Sequence, residues 1–186
     1  ITTNDAEVAQ RLRYLRQHGM SVSDVVRHGS KSVVIEEYLE VGYNYRMTDI
    51  QAAVGVEQLK RLNQIVARRR EIALQYNQAF SKFDKVEIPL DSDNTTTNYQ
   101  SYALRLSTDI SGRNQVMQNL LDREISTRRG VMTVHRELAY EQHSQKSLPL
   151  SEHLSDTSIL LPIYVPMEDE EVGHVIQEVS IELAQL

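Results

Sequence analysis

The chain has 186 residues, 40% hydrophobic and 25% charged, a balance that suits a globular fold and excludes a disordered or fibrous one. Its 20 Lys and Arg against 26 Asp and Glu leave a net charge of −6, so the average surface repels nucleic-acid backbones and anionic membranes, and neither is expected as a partner. There is no cysteine, which excludes disulfides and thiolate metal sites, and no apolar run approaches the ~20 residues that cross a bilayer.

The opening Ile1-Thr2-Thr3 is β-favouring and runs straight into a helix start, with neither the basic start nor the apolar middle of a signal peptide. It reads as the interior of a longer protein, and with the missing cysteines a cytoplasmic location is expected. Asn4 followed by Glu7 resembles a capping pair, and Val8, Leu12 and Leu15 at helical spacing predict a helix over residues 5–17, stopped by Gly19. Residues 21–41 hold no period and predict an irregular excursion with one short strand near 33–35. Loops of that length usually serve a function.

Thr48 and Gln51 form a T-x-x-Q capping box, and no proline follows as far as Lys85. A very long helix is predicted, its apolar stripe running through Leu59, Leu62, Val66, Ala73, Tyr76, Phe80 and Phe83, with Gly55 as its weak point and Arg68, Arg69 and Arg70 on its wet side. Such a helix spans on the order of 50 Å and usually joins two bodies. Short elements come next: 86–89, a polar loop over 91–98, a strand over 99–106, a helix capped by Ser111 and carrying Val116, Leu120 and Leu121, and β character at 125–127. The last helix opens on four acidic residues, Glu168 to Glu171, and presents Val172, Ile176, Val179 and Leu183 on one face. From residue 84 onward this is an α+β module.

Chemistry concentrates in GYNYRMTDIQAA, residues 42–53, a polar and aromatic loop that empties into a capped helix start. Helix N–H groups, the Arg46 charge and the Asn44 amide suit a phosphate, but spacing alone favours the plainer reading in which Asn44 occupies a turn and Arg46 pairs with a nearby carboxylate. His135, His143, His153 and His174 share a region without any i, i+4 pair, so no metal site is expected. G-x-S-x-G is missing, and with it a hydrolase triad.

The run from Val41 to Phe80, VGYNYRMTDIQAAVGVEQLKRLNQIVARRREIALQYNQAF, resembles the helix that joins the large and small domains in pyridoxal-phosphate-dependent sugar aminotransferases of the DegT/DnrJ/StrS family. ITTNDAEVAQRLRYLRQHGM resembles the segment after that family's cofactor-lysine loop, and SILLPIYVPMEDEEVGHVIQEV its closing strand and helix, so the resemblance covers essentially the whole chain. It implies an α/β, type I aminotransferase fold, of which 1–20 is the tail of the large domain, 21–83 the excursion and connecting helix, and 84–186 a small α+β domain on an antiparallel sheet. It implies transfer of an amino group, with glutamate as donor, to a nucleotide-linked keto sugar in polysaccharide biosynthesis. The cofactor would be pyridoxal 5'-phosphate in a homodimer with shared active sites.

Carried over residue by residue, Asn44, with Arg46 beside it, matches the asparagine that reaches the cofactor phosphate of the neighbouring subunit. His135 matches a histidine on the substrate side; by itself it reads equally as a half-buried, backbone-bonded residue. Arg129, with Arg128, suits a nucleotide diphosphate, although adjacent arginines are more often simply solvated. Many members of the family have histidine where this chain has Gln100. The Schiff-base lysine is expected upstream of Ile1, so that Lys31, Lys60, Lys82, Lys85 and Lys146 read as surface residues, no catalytic residue falls in the chain, and the chain alone is expected to be inactive. Two alternatives stay open: a sugar dehydratase of the same family, and a non-catalytic dimerisation or binding domain.

Overall fold

The computed structural model describes residues 1–22, 24–143 and 146–186, with the side chains of residues 24, 25, 28 and 143 outside the description. They form two compact units, Ile1–Lys60 and Arg61–Leu186.

In the first unit α1 covers Ala6–Leu15, and its cap is Asp5 instead of Asn4. Asp5 Oδ1 accepts from the N–H groups of Glu7 and Val8 at 2.9 and 3.0 Å; a cap side chain serves the second and third helical N–H groups, which Asn4 is one residue too early to do. The helix stops at Leu15 because His18 and Gly19 turn left-handed, with φ of 59° and 76°, and the Gly19 N–H donates to Tyr14 O at 2.9 Å. After α2 (Asp24–Gly29) the expected strand at 33–35 does not form. Val33 and Ile35 are 92% and 84% exposed, and the excursion pairs instead through single bridges, Met20 with Tyr38 and Gln17 with Asn44. A β-branched run without a partner strand has no ladder to join. The helix α3 (Asp49–Lys60) starts on the predicted box: Thr48 N–H donates to Gln51 Oε1 at 3.0 Å and Gln51 N–H to Thr48 Oγ1 at 3.3 Å. It runs through Gly55 unbroken and buries none of its residues, leaving Ile50, Val54, Val56 and Leu59 exposed.

The second unit opens with α4 (Leu62–Phe80), the helical run being interrupted at Arg61. Its apolar stripe is buried at Ile72, Ala73, Tyr76 and Phe80, whereas Leu62 is exposed. Four strands, β1 (Val86–Glu87), β2 (Tyr102–Leu106), β3 (Arg128–Arg129) and β4 (Ser158–Leu161), form an antiparallel sheet in the order β1-β2-β4-β3. β2 begins three residues later than the sequence predicts, because Tyr99 has φ 46° and breaks the extended run. The β character expected at 125–127 falls at β3, while Ile125 is buried in the core. The helices α5 (Ile110–Asp122), α6 (Pro149–Thr157) and α7 (Asp169–Leu183) complete the unit. Asp109 and not Ser111 caps α5, accepting from Gly112 N–H at 2.8 Å, and Leu121 is exposed. α7 carries the acidic start as a capping box of Glu168 and Glu171.

Alternation along β2 buries Tyr102, Leu104 and Leu106 on one face with Tyr76, Phe80, Val116, Leu120, Ile159, Val172 and Val179, and turns Ala103 and Arg105 to the other. The Tyr76 hydroxyl donates to Pro162 O at 2.8 Å and that of Tyr102 to Asn77 Oδ1 at 2.7 Å, so both buried phenols are satisfied. Burial pushes both hydroxyls above their ordinary pKa. Of the three arginines expected on a wet face, Arg70 is exposed and Arg68 and Arg69 are half-buried, and all three bond backbone carbonyls. Arg68 donates to Met167 O at 2.7 Å and Asp169 Oδ1 at 2.7 Å, Arg69 to the carbonyls of Tyr99 and Gln100 at 3.0 and 2.8 Å, and Arg70 to Thr97 O at 2.9 Å. Their apolar stems follow the helix while the heads collect carbonyls from loops with no ladder of their own.

Candidate functional site

The loop that carries Asn44 is fixed by backbone pairing with the chain leaving α1. Tyr43 N–H donates to Leu15 O at 2.6 Å, His18 N–H to Tyr43 O at 2.9 Å and Tyr45 N–H to Arg16 O at 2.9 Å. Two glycines allow this approach: a Cβ on Gly42 would collide with the backbone of His18 and Gly19, and one on Gly19 with the Glu40 carbonyl. Extended alternation sends Tyr43 and Tyr45 to one side, where their rings stack at 5.0 Å and line a cavity of about 670 Å³ with Leu12 and Arg16. Asn44 and Arg46 take the other side, and both are exposed. Arg46 Nε donates to Asn44 Oδ1 at 3.4 Å, so the amide oxygen is engaged and its NH₂ is the group with hydrogens to donate. This lies four residues before the capped start of α3, whose first turn adds helix-end N–H groups. Asp49 in that turn opposes an anion, and the Arg46 charge offsets it. An amide donor, a guanidinium and a helix start fit the phosphate of a cofactor.

His135 lies in the second unit, on a 3-10 turn, Val134–Arg136, between β3 and a further 3-10 segment, Leu138–His143. Its Nε2 is 2.9 Å from Glu152 Oε1, and Glu152 also accepts from Ser147 Oγ at 3.2 Å and Leu148 N–H at 2.7 Å. The bond from His135, and then that from Leu148, holds the Glu152 carboxyl below its ordinary pKa. His135 lines a cavity of about 710 Å³ against the face of the sheet turned away from the core, walled largely by Met132, Val134, Tyr140, Leu148, Leu154 and Leu160. Glu152, 17 residues from His135, carries no sequence signal that would pair the two.

Arg129 pairs with Glu137 at 3.2 Å and is not among the residues lining the cavity of about 710 Å³. Its neighbour Arg128 faces a smaller cavity of about 290 Å³ with Gln100, Ser101 and Ser126. No group of His, Asp and Glu able to hold a metal occurs among the described residues, which leave out the His143 side chain. No described helix is long and apolar enough to cross a membrane.

A profile of the DegT/DnrJ/EryC1/StrS aminotransferase family matches residues 1–180. The chain is 31% identical over 185 residues to SpsC, a spore coat polysaccharide biosynthesis protein of Bacillus subtilis, covering 96% of this chain and 48% of SpsC. It superimposes on the crystal structure of the aminotransferase TlmJ from Streptoalloteichus hindustanus with a TM-score of 0.82 at 32% identity, covering 98% of this chain and 46% of TlmJ. The fold is also that of PseC of Helicobacter pylori, an aminotransferase of pseudoaminic acid biosynthesis: TM-score 0.84 at 23% identity, over 99% of this chain and 48% of PseC. The chain spans about half the length of the curated relatives it matches.

Proposed function

Since the chain belongs to the DegT/DnrJ/EryC1/StrS aminotransferase family, we propose that it is the C-terminal half of a pyridoxal-phosphate-dependent enzyme that moves an amino group from glutamate to a nucleotide-linked keto sugar. Residues 1–20 would be the tail of its large domain, 21–83 the excursion and connecting helix, and 84–186 its small domain. One observation carries this reading: Asn44 stands exposed on a braced loop beside Arg46 and ahead of a capped helix, the arrangement a phosphate needs.

When bound, pyridoxal phosphate supplies the electron sink for amino transfer. Asn44 donates amide hydrogens to its phosphate and Arg46 neutralises charge there, in each case for the cofactor of a second protomer. The exposed Ile50, Val54, Val56 and Leu59, which lie on two sides of α3, support such a dimer, because this much exposed apolar surface on one helix ordinarily finds a partner. His135 meets the substrate from the wall of its cavity, with its ring held by Glu152. Arg129 stands at the edge of that region, its charge shared with Glu137.

The test is amino transfer by the whole protein, read as 2-oxoglutarate formed from glutamate with a nucleotide-linked keto sugar. The 186-residue chain by itself gives no turnover. Asn44→Ala weakens pyridoxal phosphate binding by about ten-fold or more, the loss of a hydrogen bond to a charged group. Unchanged cofactor affinity in Asn44→Ala, or turnover by the chain alone, would overturn the reading.

A further inference from the structure

β3 is two residues long, and its two arginines face opposite ways. Arg129 lies opposite Ile159, which is fully buried, and its guanidinium turns aside to Glu137. Arg128 lies opposite Leu160, which also pairs with Ala103, so Arg128, Leu160 and Ala103 form one cross-strand row on the sheet face away from the core. Two cavities open on that row. Leu160 and Ala103 floor the larger apolar one, of about 710 Å³, and Leu160 and Arg128 line the smaller polar one, of about 290 Å³. Leu160 is common to both, so the two spaces adjoin.

The smaller cavity gathers exposed polar side chains, Gln100, Ser101 and Ser126, around the Arg128 charge. Among the described residues no carboxylate pairs with the Arg128 guanidinium. Gln100 is set by a fixed scaffold: Arg69 Nη1 donates to its carbonyl and to that of Tyr99, Asn98 Oδ1 accepts from its N–H at 3.0 Å, and Ser101 Oγ donates to its Oε1 at 2.8 Å. With Oε1 engaged, the amide nitrogen is the part of Gln100 turned to a ligand acceptor. Tyr99, just before it, holds φ 46° with its ring buried and stacked on Tyr102 at 6.3 Å, a left-handed backbone on an aromatic residue. Such strain persists where surrounding packing enforces it, and it gathers at ligand sites.

We propose that Arg128, Gln100 and Ser126, with Ser101 holding the Gln100 amide in place, bind the anionic group of a small-molecule ligand, a phosphate or a carboxylate, whose remaining body lies over Leu160 in the apolar cavity. The identity of that ligand as a substrate rests on the aminotransferase reading, and the existence of the site does not. Arg128 presents a planar guanidinium suited to two parallel bonds with one oxyanion. Arg129, already committed to Glu137, plays no part in it.

The test is titration of the 186-residue chain with sodium pyrophosphate, uridine diphosphate and glutamate, followed by the NMR resonances of the Arg128 side chain and the Ser126 amide. Saturable shifts are expected with at least one probe, and Arg128→Gln weakens that binding about ten-fold or more, as loss of a charge-assisted bond does. Arg129→Gln changes it less than two-fold. Preference for pyrophosphate over glutamate assigns the site to phosphate, the reverse order assigns it to carboxylate, and tighter binding of uridine diphosphate than of pyrophosphate places the ligand body over Leu160. Absence of saturable binding by all three, or equal losses in the two arginine variants, would overturn the proposal. In the whole protein, Arg128-dependent binding without amino transfer would sink the proposed activity and leave this site standing, whereas full activity with an unchanged KM in Arg128→Gln would sink the site alone.

Discussion

His135 and Glu152 tie a 3-10 turn to the first turn of α6 through one 2.9 Å contact, and the carboxylate also serves Leu148 N–H. Because these bonds lower the folded-state pKa of Glu152, the stability they contribute is fully present above its ordinary value of 4.5 and is lost as pH falls through the lower folded value. Glu152→Gln should therefore melt below the native chain at pH 7, and the gap should close as pH is taken below 4.5; a gap independent of pH would show that the charge is immaterial. The Tyr76 hydroxyl poses a different question, since its partner is the Pro162 carbonyl in a buried setting. Tyr76→Phe leaves that carbonyl unsatisfied and should cost about 1–3 kcal/mol in urea unfolding without changing the m-value.

The arginines of α4 act as an element-scale brace. Arg68 gathers Met167 O and Asp169 at the start of α7, and Arg69 and Arg70 gather the loop that leads into β2. Arg69→Ala releases two carbonyls held by a charged donor and should cost about 2 kcal/mol. It should also speed hydrogen exchange at Gln100 and Ser101 while leaving Leu104 protected; equal acceleration at all three would point to global loosening. At the C-terminal end of α5, Arg123 sits 2.9 Å from Glu182 Oε1, a carboxylate 3% exposed that also accepts from Asn119 at 2.7 Å. Arg123→Ala strands that buried charge and should destabilise by about 3 kcal/mol, well above the effect of an exposed ion pair such as Arg11 with Glu40.

At the scale of the whole molecule, buried apolar residues gather in Arg61–Leu186, while Ile1–Lys60 buries little beyond Met20. Protection from exchange follows buried, bonded backbone, so amides of β2, β4 and α7 should exchange slowest and those of α3 close to unprotected rates. Slow exchange throughout α3 would mean that its exposed apolar residues are covered in solution. The sequence by itself determined what depends on neighbours along the chain: the Thr48 and Gln51 box, the acidic start and stripe of α7, the α+β character after residue 84 and, through the ordered run of motifs, the family. Only the tertiary structure decided what depends on distant partners. It tied Arg68, Arg69 and Arg70 to distant backbone carbonyls, joined Glu152 to His135, and sent Arg128 and Arg129 to opposite faces of one sheet. Local propensity and periodicity act over one or two turns, whereas the acceptor of Arg68 lies 99 residues away, and nothing in the spacing of charges records which carbonyl folding will bring to it.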